Sequence, residues 1–347
     1  MADKAVTISD VARRAGVSES TVSRVLSGSD TQISISQETR ERVIQAAKEL
    51  GYSPHPVARA LRGKVTNILG LIVRSIDDPF YSHLIEAISN ACKERGYDLM
   101  LGGAEGDPER ALALSQILDP RRCDGLLVMG DLGSFQDDEA VFTKLETAHA
   151  RLAILCRGNR LFEKSLSISV DNRRGALLAM DYLAKLGHRQ IAFIHGSRTG
   201  DLKERMETYL EFMREQLGLE CPEYLQADMN TLEGGYRAMQ RLLSLSNPPT
   251  AVFAVDDQMA IGAIRAASDR AYQVPRDVSV IGFDDIEVAA YVTPSLTTIH
   301  QPIEEIGRKA VELVLQKVAD NSIFDTARQI LMEPELVIRQ SCAPPSR

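Results

Sequence analysis

Tryptophan is absent from this chain, and aromatic residues make up only 5% of its 347 positions. Any ring stacking on a ligand therefore falls to Phe and Tyr. Long apolar runs are missing too. None approaches the ~18 residues of a membrane span. The start, MADKAVTISD, lacks a signal peptide's hydrophobic region. Cysteine is scarce and scattered: Cys92, Cys123, Cys156, Cys221 and Cys342 are odd in number and form no CxxC pair. That pattern excludes a disulfide framework and a zinc site and fits a reducing compartment. The six histidines show no metal-ligand spacing. LGGAEG lacks the GxGxxG spacing and the Lys-Ser pair of a phosphate loop. No Ser-His-Asp or Cys-His arrangement is deducible. The expectation is a cytoplasmic protein with no metal, no cofactor and no catalytic centre.

Positive charge is in short supply overall, with a net charge of −8. Its distribution is uneven. The first 64 residues carry 10 Lys+Arg against 7 Asp+Glu, a net of +3, and the remainder carries −11. An acidic body with a basic head is the asymmetry expected when only the head touches phosphate. Apolar content of 44% and charged content of 25% are those of a globular protein. The length calls for two or three domains.

The head reads as three helices. Thr7 precedes an apolar-periodic run, Ile8, Val11, Ala12 and Ala15, with Asp10 placed to close a capping box. Gly16 ends that helix, since glycine takes the left-handed backbone without steric cost. Ser18 then caps a second helix, Glu19 to Leu26. Two short helices joined by a Gly-containing turn form a helix-turn-helix. A third is expected from near Ser36 to Gly51, burying Val43, Ile44, Ala47 and Leu50. The second helix begins with Glu19, Ser20, Thr21 and Ser23, and Arg24 follows one turn on. Short hydroxyls reach phosphates, while Arg and Glu read guanine and cytosine edges. A small interaction domain would more often mix Lys and Glu on that face. After Gly51, Pro54 and Pro56 break the helix, and Val57–Arg62 has helical propensity for less than two turns. So short a helix is marginal without a partner.

VTISDVARRAGVSESTVSRVLSG resembles the helix-turn-helix of the lactose-repressor (LacI/GalR) family over more than twenty residues without a gap. The resemblance implies that Glu19, Ser20 and Arg24 reach base edges, with Thr7, Ser18, Thr21 and Ser23 in the same DNA-binding set. It also implies that two hinge helices pack in the minor groove. Leu61 would be the wedge that kinks the duplex, Ala58 the point of close backbone approach, and Arg62 their DNA-binding neighbour. One departure is SGSDTQISISQETR, about three residues longer than the family's link to the third helix.

Down the body, apolar runs alternate with helical patterns. Ile68–Val73, Leu99–Leu101, Gly125–Met129, Leu152–Leu155, Ile191–His195, Ala251–Val255 and Val278–Ile281 read as strands. Helices are expected over Tyr81–Arg95 and Arg173–Leu186, among others. Continuous apolar strands between amphipathic helices mean parallel sheets covered on both faces. The fold class expected is α/β, a three-helix DNA-binding head followed by two doubly wound lobes. Ligands in such sheets bind beyond the carboxyl ends of the strands. Asp77, Asp78 and Phe80 follow the first strand, Asp256 and Asp257 follow Ala251–Val255, and Asp284 and Asp285 follow Val278–Ile281. Carboxylates with an arginine can hold vicinal hydroxyls, and an aromatic ring can stack on a sugar.

DPFYSHLIEAI, DGLLVMG, LGHRQIAFI, PTAVFAVDDQMAIGAI, VPRDVSVIGFDD and TPSLTTIHQP extend the family resemblance through the body, and more weakly resemble periplasmic sugar-binding proteins. The resemblance implies a periplasmic-binding-protein-like sensor with effector contacts at Asp78, Phe80, Arg205, Asp256 and Asp284. Cys156 stands where sugar-binding branches often have an acidic or amide residue, and Met229 roughly where they have Trp.

The expected domains are 1–51 for DNA binding, 52–66 for the hinge and 67–347 for effector binding and dimerisation. Lobe 1 would comprise about 67–168 and 297–328, and lobe 2 about 169–296 and 329–343. The expected function is a homodimeric repressor of carbohydrate uptake or catabolic genes. It would bind a palindromic operator under control of a small molecule, a sugar first and a purine or nucleoside second. Coupling between cleft and hinge would be ~1–3 kcal/mol. No leucine heptad for a tetramerising coiled coil follows Leu336–Arg339. Two other classes fit the sequence less well. A sugar-binding transport protein conflicts with the basic head, and an enzyme lacks a catalytic constellation.

Overall fold

The computed structural model describes residues 6–27, 35–52, 65–130, 132, 135–149, 151–156, 166–196, 200–220, 222–320 and 328–346. The hinge positions Ala58, Leu61 and Arg62, and Cys221, lie outside the described residues. The chain divides into two units, Met1–Thr66 and Asn67–Arg347.

Three helices form the first unit: α1 (Ile8–Ala15), α2 (Glu19–Ser27) and α3 (Gln37–Glu49). The capping box at α1 is present, with the Asp10 carboxylate accepting from the Thr7 N–H at 3.0 Å and from its hydroxyl at 2.7 Å. Gly16 closes α1 with φ of 68°. Ser18 Oγ accepts from the Thr21 N–H at 3.2 Å, fixing the start of α2. Val11, Ala12, Ala15, Val22, Val25, Val43, Ala46 and Ala47 make the core. Ile44, expected inside, is instead exposed. The inward stripe of α3 runs Val43, Ala46, Ala47 and Leu50, and Ile44 stands about 100° around the helix from Val43.

The second unit opens with β1 (Ile68–Val73), α4 (Pro79–Glu94), β2 (Asp98–Gly103), α5 (Pro108–Ile117), β3 (Gly125–Met129), α6 (Phe135–Ala148), β4 (Leu152–Leu155) and β5 (Leu166–Val170). It continues with α7 (Asn172–Lys185), β6 (Ile191–His195), α8 (Gly200–Leu217), β7 (Leu225–Ala227), α9 (Leu232–Leu242), β8 (Ala251–Ala254), α10 (Asp257–Asp269) and β9 (Ser279–Ile281). Last come β10 (Thr298–His300), α11 (Ile303–Ala319), β11 (Arg328–Met332) and β12 (Glu335–Val337). One sheet has the order β11-β5-β4-β3-β1-β2 and the other β7-β6-β8-β9, and every pairing within them is parallel. β3, β4, β5, β6 and β8 are buried at every position, as strands covered on both faces must be. The fold is therefore α/β, with two parallel-sheet lobes that follow a helical head in the chain.

β10 and β12 form a separate antiparallel pair. β11 pairs with β5 in the six-stranded sheet. Residues 329–332 thus join the first lobe's sheet, where the sequence suggested the second, because a lone strand gains hydrogen bonds only by extending an existing edge. Beyond β12 the chain runs along β9. The Val280 N–H donates to the Ser341 carbonyl at 2.9 Å, and Ser341 Oγ donates to the Val280 carbonyl at 2.6 Å. Buried His188 joins in, with Nε2 on the Ala343 carbonyl at 2.9 Å and Nδ1 on Thr250 Oγ1 at 2.9 Å.

Candidate functional site

On the head, the residues expected to meet DNA share the start of α2. Ser18, Glu19 and Ser20 are exposed, and Thr21, Ser23 and Arg24 are half-buried beside them. Ser18 Oγ lies 2.8 Å from Ser20 Oγ and 2.8 Å from Thr21 Oγ1, so the three hydroxyls are oriented as a group. Thr7 is exposed at the start of α1.

In the body, Asp78, Phe80, Arg205, Asp256 and Asp284 come together in one cleft of about 510 Å³, part of it open to solvent. Each comes from a different route. Asp78 caps α4, accepting from the Phe80 N–H at 2.9 Å. Asp256 caps α10, accepting from the Met259 N–H at 2.7 Å and from Asn230 Nδ2 at 2.8 Å. Asp284 follows β9 with φ of 114°, a left-handed backbone that costs an Asp some strain. Its Oδ1 accepts from Gln301 Nε2 at 2.6 Å and lies 3.3 Å from Arg205 Nη1.

Arg205 is the hub. It sits in the second turn of α8 rather than at its start. Nε donates to Asn172 Oδ1 at 2.8 Å and Nη1 to the Val255 carbonyl at 2.7 Å. The guanidinium lies 3.5 Å from the centroid of the Phe283 ring, a cation–π contact. Arg205 lines the cleft, and among the described residues its Nη2 makes no hydrogen bond.

Burial sets the electrostatics. It raises the Asp78 carboxyl above its ordinary range, with Asp256 adding to the effect. It raises Asp256 likewise. Asp284 is pushed well above the ordinary value by burial, against the pull of Arg205 and with the push of Asp257, Asp256 and Asp78. Beneath the cleft, burial lifts the carboxyl of Asp257 to about 8, although it accepts from Thr298 Oγ1 at 2.5 Å and the Ile286 N–H at 2.9 Å. Asp285 points elsewhere. It pairs with Arg339 at 2.6 Å and His300 at 3.0 Å.

The cleft also contains Arg74, Tyr81, Asp201, Leu202 and Asn230, none of which was singled out from the sequence. Asp201 carried one signal, as an acidic residue just past the apolar run ending at His195. Cys156 lines the cleft, buried and with its thiol raised well above the ordinary value by burial. Met229 does not line it and is 62% exposed; the neighbouring Asn230 faces the cleft instead. No group of three His, Cys, Asp or Glu among the described residues can hold a metal ion.

Residues 7–55 match the family described as bacterial regulatory proteins, lacI family, and residues 180–342 match a periplasmic binding protein-like domain. The HTH-type transcriptional repressor PurR of Klebsiella pneumoniae (strain 342) is 37% identical over 342 residues, covering 97% of each chain. The chain belongs to the LacI family. This LacI-family chain is thus a transcriptional regulator with a helix-turn-helix and a ligand-sensing body, and not an enzyme. It superposes on the lac repressor dimer bound to operator and the anti-inducer ONPF with a TM-score of 0.85 at 28% identity, covering 98% of this chain and 100% of that one. Against the transcriptional regulator CelR–cellobiose complex the TM-score is 0.69 at 29% identity, over 97% and 99% of the two chains.

Proposed function

We propose that this regulator is a cytoplasmic, homodimeric repressor whose grip on a palindromic operator is set by a purine base or nucleoside in the cleft. The observation that carries the effector class is the full-length similarity to a repressor named PurR, at 37% identity. This displaces the carbohydrate expectation to second place. The chemistry of the cleft supports it. A purine edge offers N–H donors to Asp256 and Asp284 and ring acceptors to Arg205 Nη2, and Phe80 supplies an apolar ring. On the DNA side, Glu19, Ser20 and Arg24 read bases, and Thr7, Ser18, Thr21 and Ser23 position the head. Ala58, Leu61 and Arg62 act at the minor groove. The likeness to the operator-bound lac repressor dimer supports that assignment and the dimer.

A carbohydrate effector is the second reading. It is favoured by the similarity to the CelR–cellobiose complex and by the carboxylates, which bridge hydroxyl pairs as well as ring N–H groups. Melting the purified protein with guanine, adenine, guanosine, ribose or cellobiose separates the two. A ligand at 100 times its dissociation constant adds ~2.7 kcal/mol of stability. Stabilisation by purines with no response to the sugars is expected; the reverse pattern selects the second reading. Anisotropy of labelled palindromic DNA, with and without the stabilising compound, then tests control of the operator.

A further inference from the structure

The chain passes from one lobe to the other between β5 and β6, between β9 and α11, and between β11 and the stretch that flanks β9. α11 belongs with the first lobe, where Gly307 lets it close on Ala87 of α4. Two of these crossings meet the segment after β9 at one carboxylate, Asp285. His300, the last residue of β10, brings Nδ1 within 3.0 Å of Asp285 Oδ2. Arg339, just beyond β12, donates from Nη2 to Asp285 Oδ1 at 2.6 Å and from Nη1 to the Leu296 carbonyl at 2.8 Å. The backbone adds a tie alongside, the Asp284 N–H donating to the Ile299 carbonyl at 2.8 Å. Asp284 and Asp285 take positive φ values of 114° and 55° in succession, a backbone that its surroundings must hold in place.

Of the three side chains in this clasp, only an imidazole ordinarily titrates near neutral pH. The surroundings of His300 are anionic. Asp285 faces it from the segment after β9, Glu335 from the paired position on β12, and Glu304 from the first turn of α11. Arg339 is the opposing cation, and it holds the other oxygen of Asp285. α7 meets the crossing through an uncharged residue, Gly175, against Phe283 and Ile299. The hydrogen bond to Asp285 raises the imidazole above its ordinary value, and the fields of Asp285, Glu304 and Glu335 add to it against the pull of burial. Burial pushes Asp285 up, yet His300 and Arg339 hold it below the ordinary carboxylate range, so it stays ionised. The imidazole is 38% exposed and the carboxylate 15%, so protons reach the base from solvent while the pair is only partly screened.

We infer that His300 is a pH-sensitive latch on the angle between the lobes: its protonated imidazole ties β10 to Asp285, and loss of the proton loosens the crossing. Because the folded imidazole holds its proton more tightly than an unfolded one, the latch is fully present below about pH 6.5. It is lost as pH rises through the folded value. Asp284, the neighbour of Asp285 in the chain, lines the cleft, so the loosening reaches the cleft wall directly. Mild acid thus favours the lobe arrangement described above, and alkaline pH widens the range of lobe angles, with no ligand required.

The test is single-molecule FRET on the full-length, effector-free protein, so it stands apart from the choice of effector. Donor and acceptor dyes are attached through non-natural side chains at exposed Ser82 of α4 and Glu207 of α8, one on each lobe. Labelled chains are diluted with unlabelled ones, so that only distances within one chain report. Wild type is expected to hold one narrow distance distribution at pH 6, and the share of molecules outside it should rise at least threefold by pH 8.5. His300→Gln should show the pH 8.5 distribution at both values, and Asp285→Asn, which cuts the same tie from the other side, should do likewise. His300→Lys, whose charge does not titrate in this range, should keep the narrow distribution at both. A wild-type distribution that is the same at pH 6 and 8.5 overturns the inference. So does a shift that survives in His300→Gln. Its source would then be Asp257, which holds Thr298 of β10 and whose carboxyl is lifted to about 8 by burial.

Discussion

Ser18, Glu19 and Ser20 of the head stand exposed on one short helix, whereas Arg205, Asp256 and Asp284 of the body are almost wholly buried and come from three separate segments. The head's surface residues are held by local contacts: Ser18 with its neighbours, and Thr7 with Asp10. The cleft residues hold one another across long stretches of sequence, as when Arg205 reaches Asn172, Val255 and Asp284. A recognition residue on the head can therefore change without disturbing the fold. A cleft residue carries both binding and stability, and the two can be separated only by measurement.

Four changes would break or sharpen that contrast. Arg205→Ala has the largest expected effect. It strands the buried Asp284 carboxylate, so we expect ~3–5 kcal/mol of lost stability in denaturant unfolding. Effector affinity in titration should fall at least tenfold as well. A folded variant of unchanged stability would show that the cleft is as modular as the head.

Asp257→Asn comes next. Because burial raises the folded carboxyl to about 8 from 3.8, its contribution is fully present below pH ~3.8. It is lost as pH rises toward 8. Wild type should therefore lose stability relative to the variant across that window, by at most about 1.4 kcal/mol per pH unit. Parallel unfolding profiles from pH 4 to 8 would rule this out.

For Arg24→Ala we expect ~1–3 kcal/mol of lost affinity for the cognate operator, with little change on random DNA. The melting temperature should not move. Equal losses on both DNAs would make Arg24 a phosphate contact. Asp10→Ala should be mildest, about 1 kcal/mol from loss of the capping box, read as earlier melting of the head by circular dichroism. No change there would mean that the core of the head alone fixes α1.

The same contrast explains what the sequence could show. Gly125–Met129, Leu152–Leu155 and Ile191–His195 were readable to the residue, because a strand buried on both faces is a continuous apolar run bounded by polar turns. Leu166–Val170 was not. Its LSISV pattern buries Ser167 and Ser169, so alternation hid a fully buried strand. The short strands Leu225–Ala227, Thr298–His300 and Glu335–Val337 gave too few residues for any period to emerge. In the head, caps are written next to the helices they start, so Thr7, Asp10, Gly16 and Ser18 were legible in place. In the cleft, carboxylates after strands could be found, but Arg74, Tyr81 and Asn230 could not. Their approach depends on how loops from distant segments converge, as Asn230 meeting Asp256 shows.

The stretch from Ser341 to Ala343 also has a consequence for solubility. By lying along Val280 and Ser279 it covers backbone of β9 at the margin of the four-stranded sheet. An uncovered strand margin is a template on which another chain can pair. The stretch thus caps part of that margin, and buried His188 holds it there through the Ala343 carbonyl. A truncation before Ser341 leaves the recognition residues of the head and the cleft intact in sequence, and it is expected to raise the apparent mass in light scattering; an unchanged mass would show that this margin needs no cover.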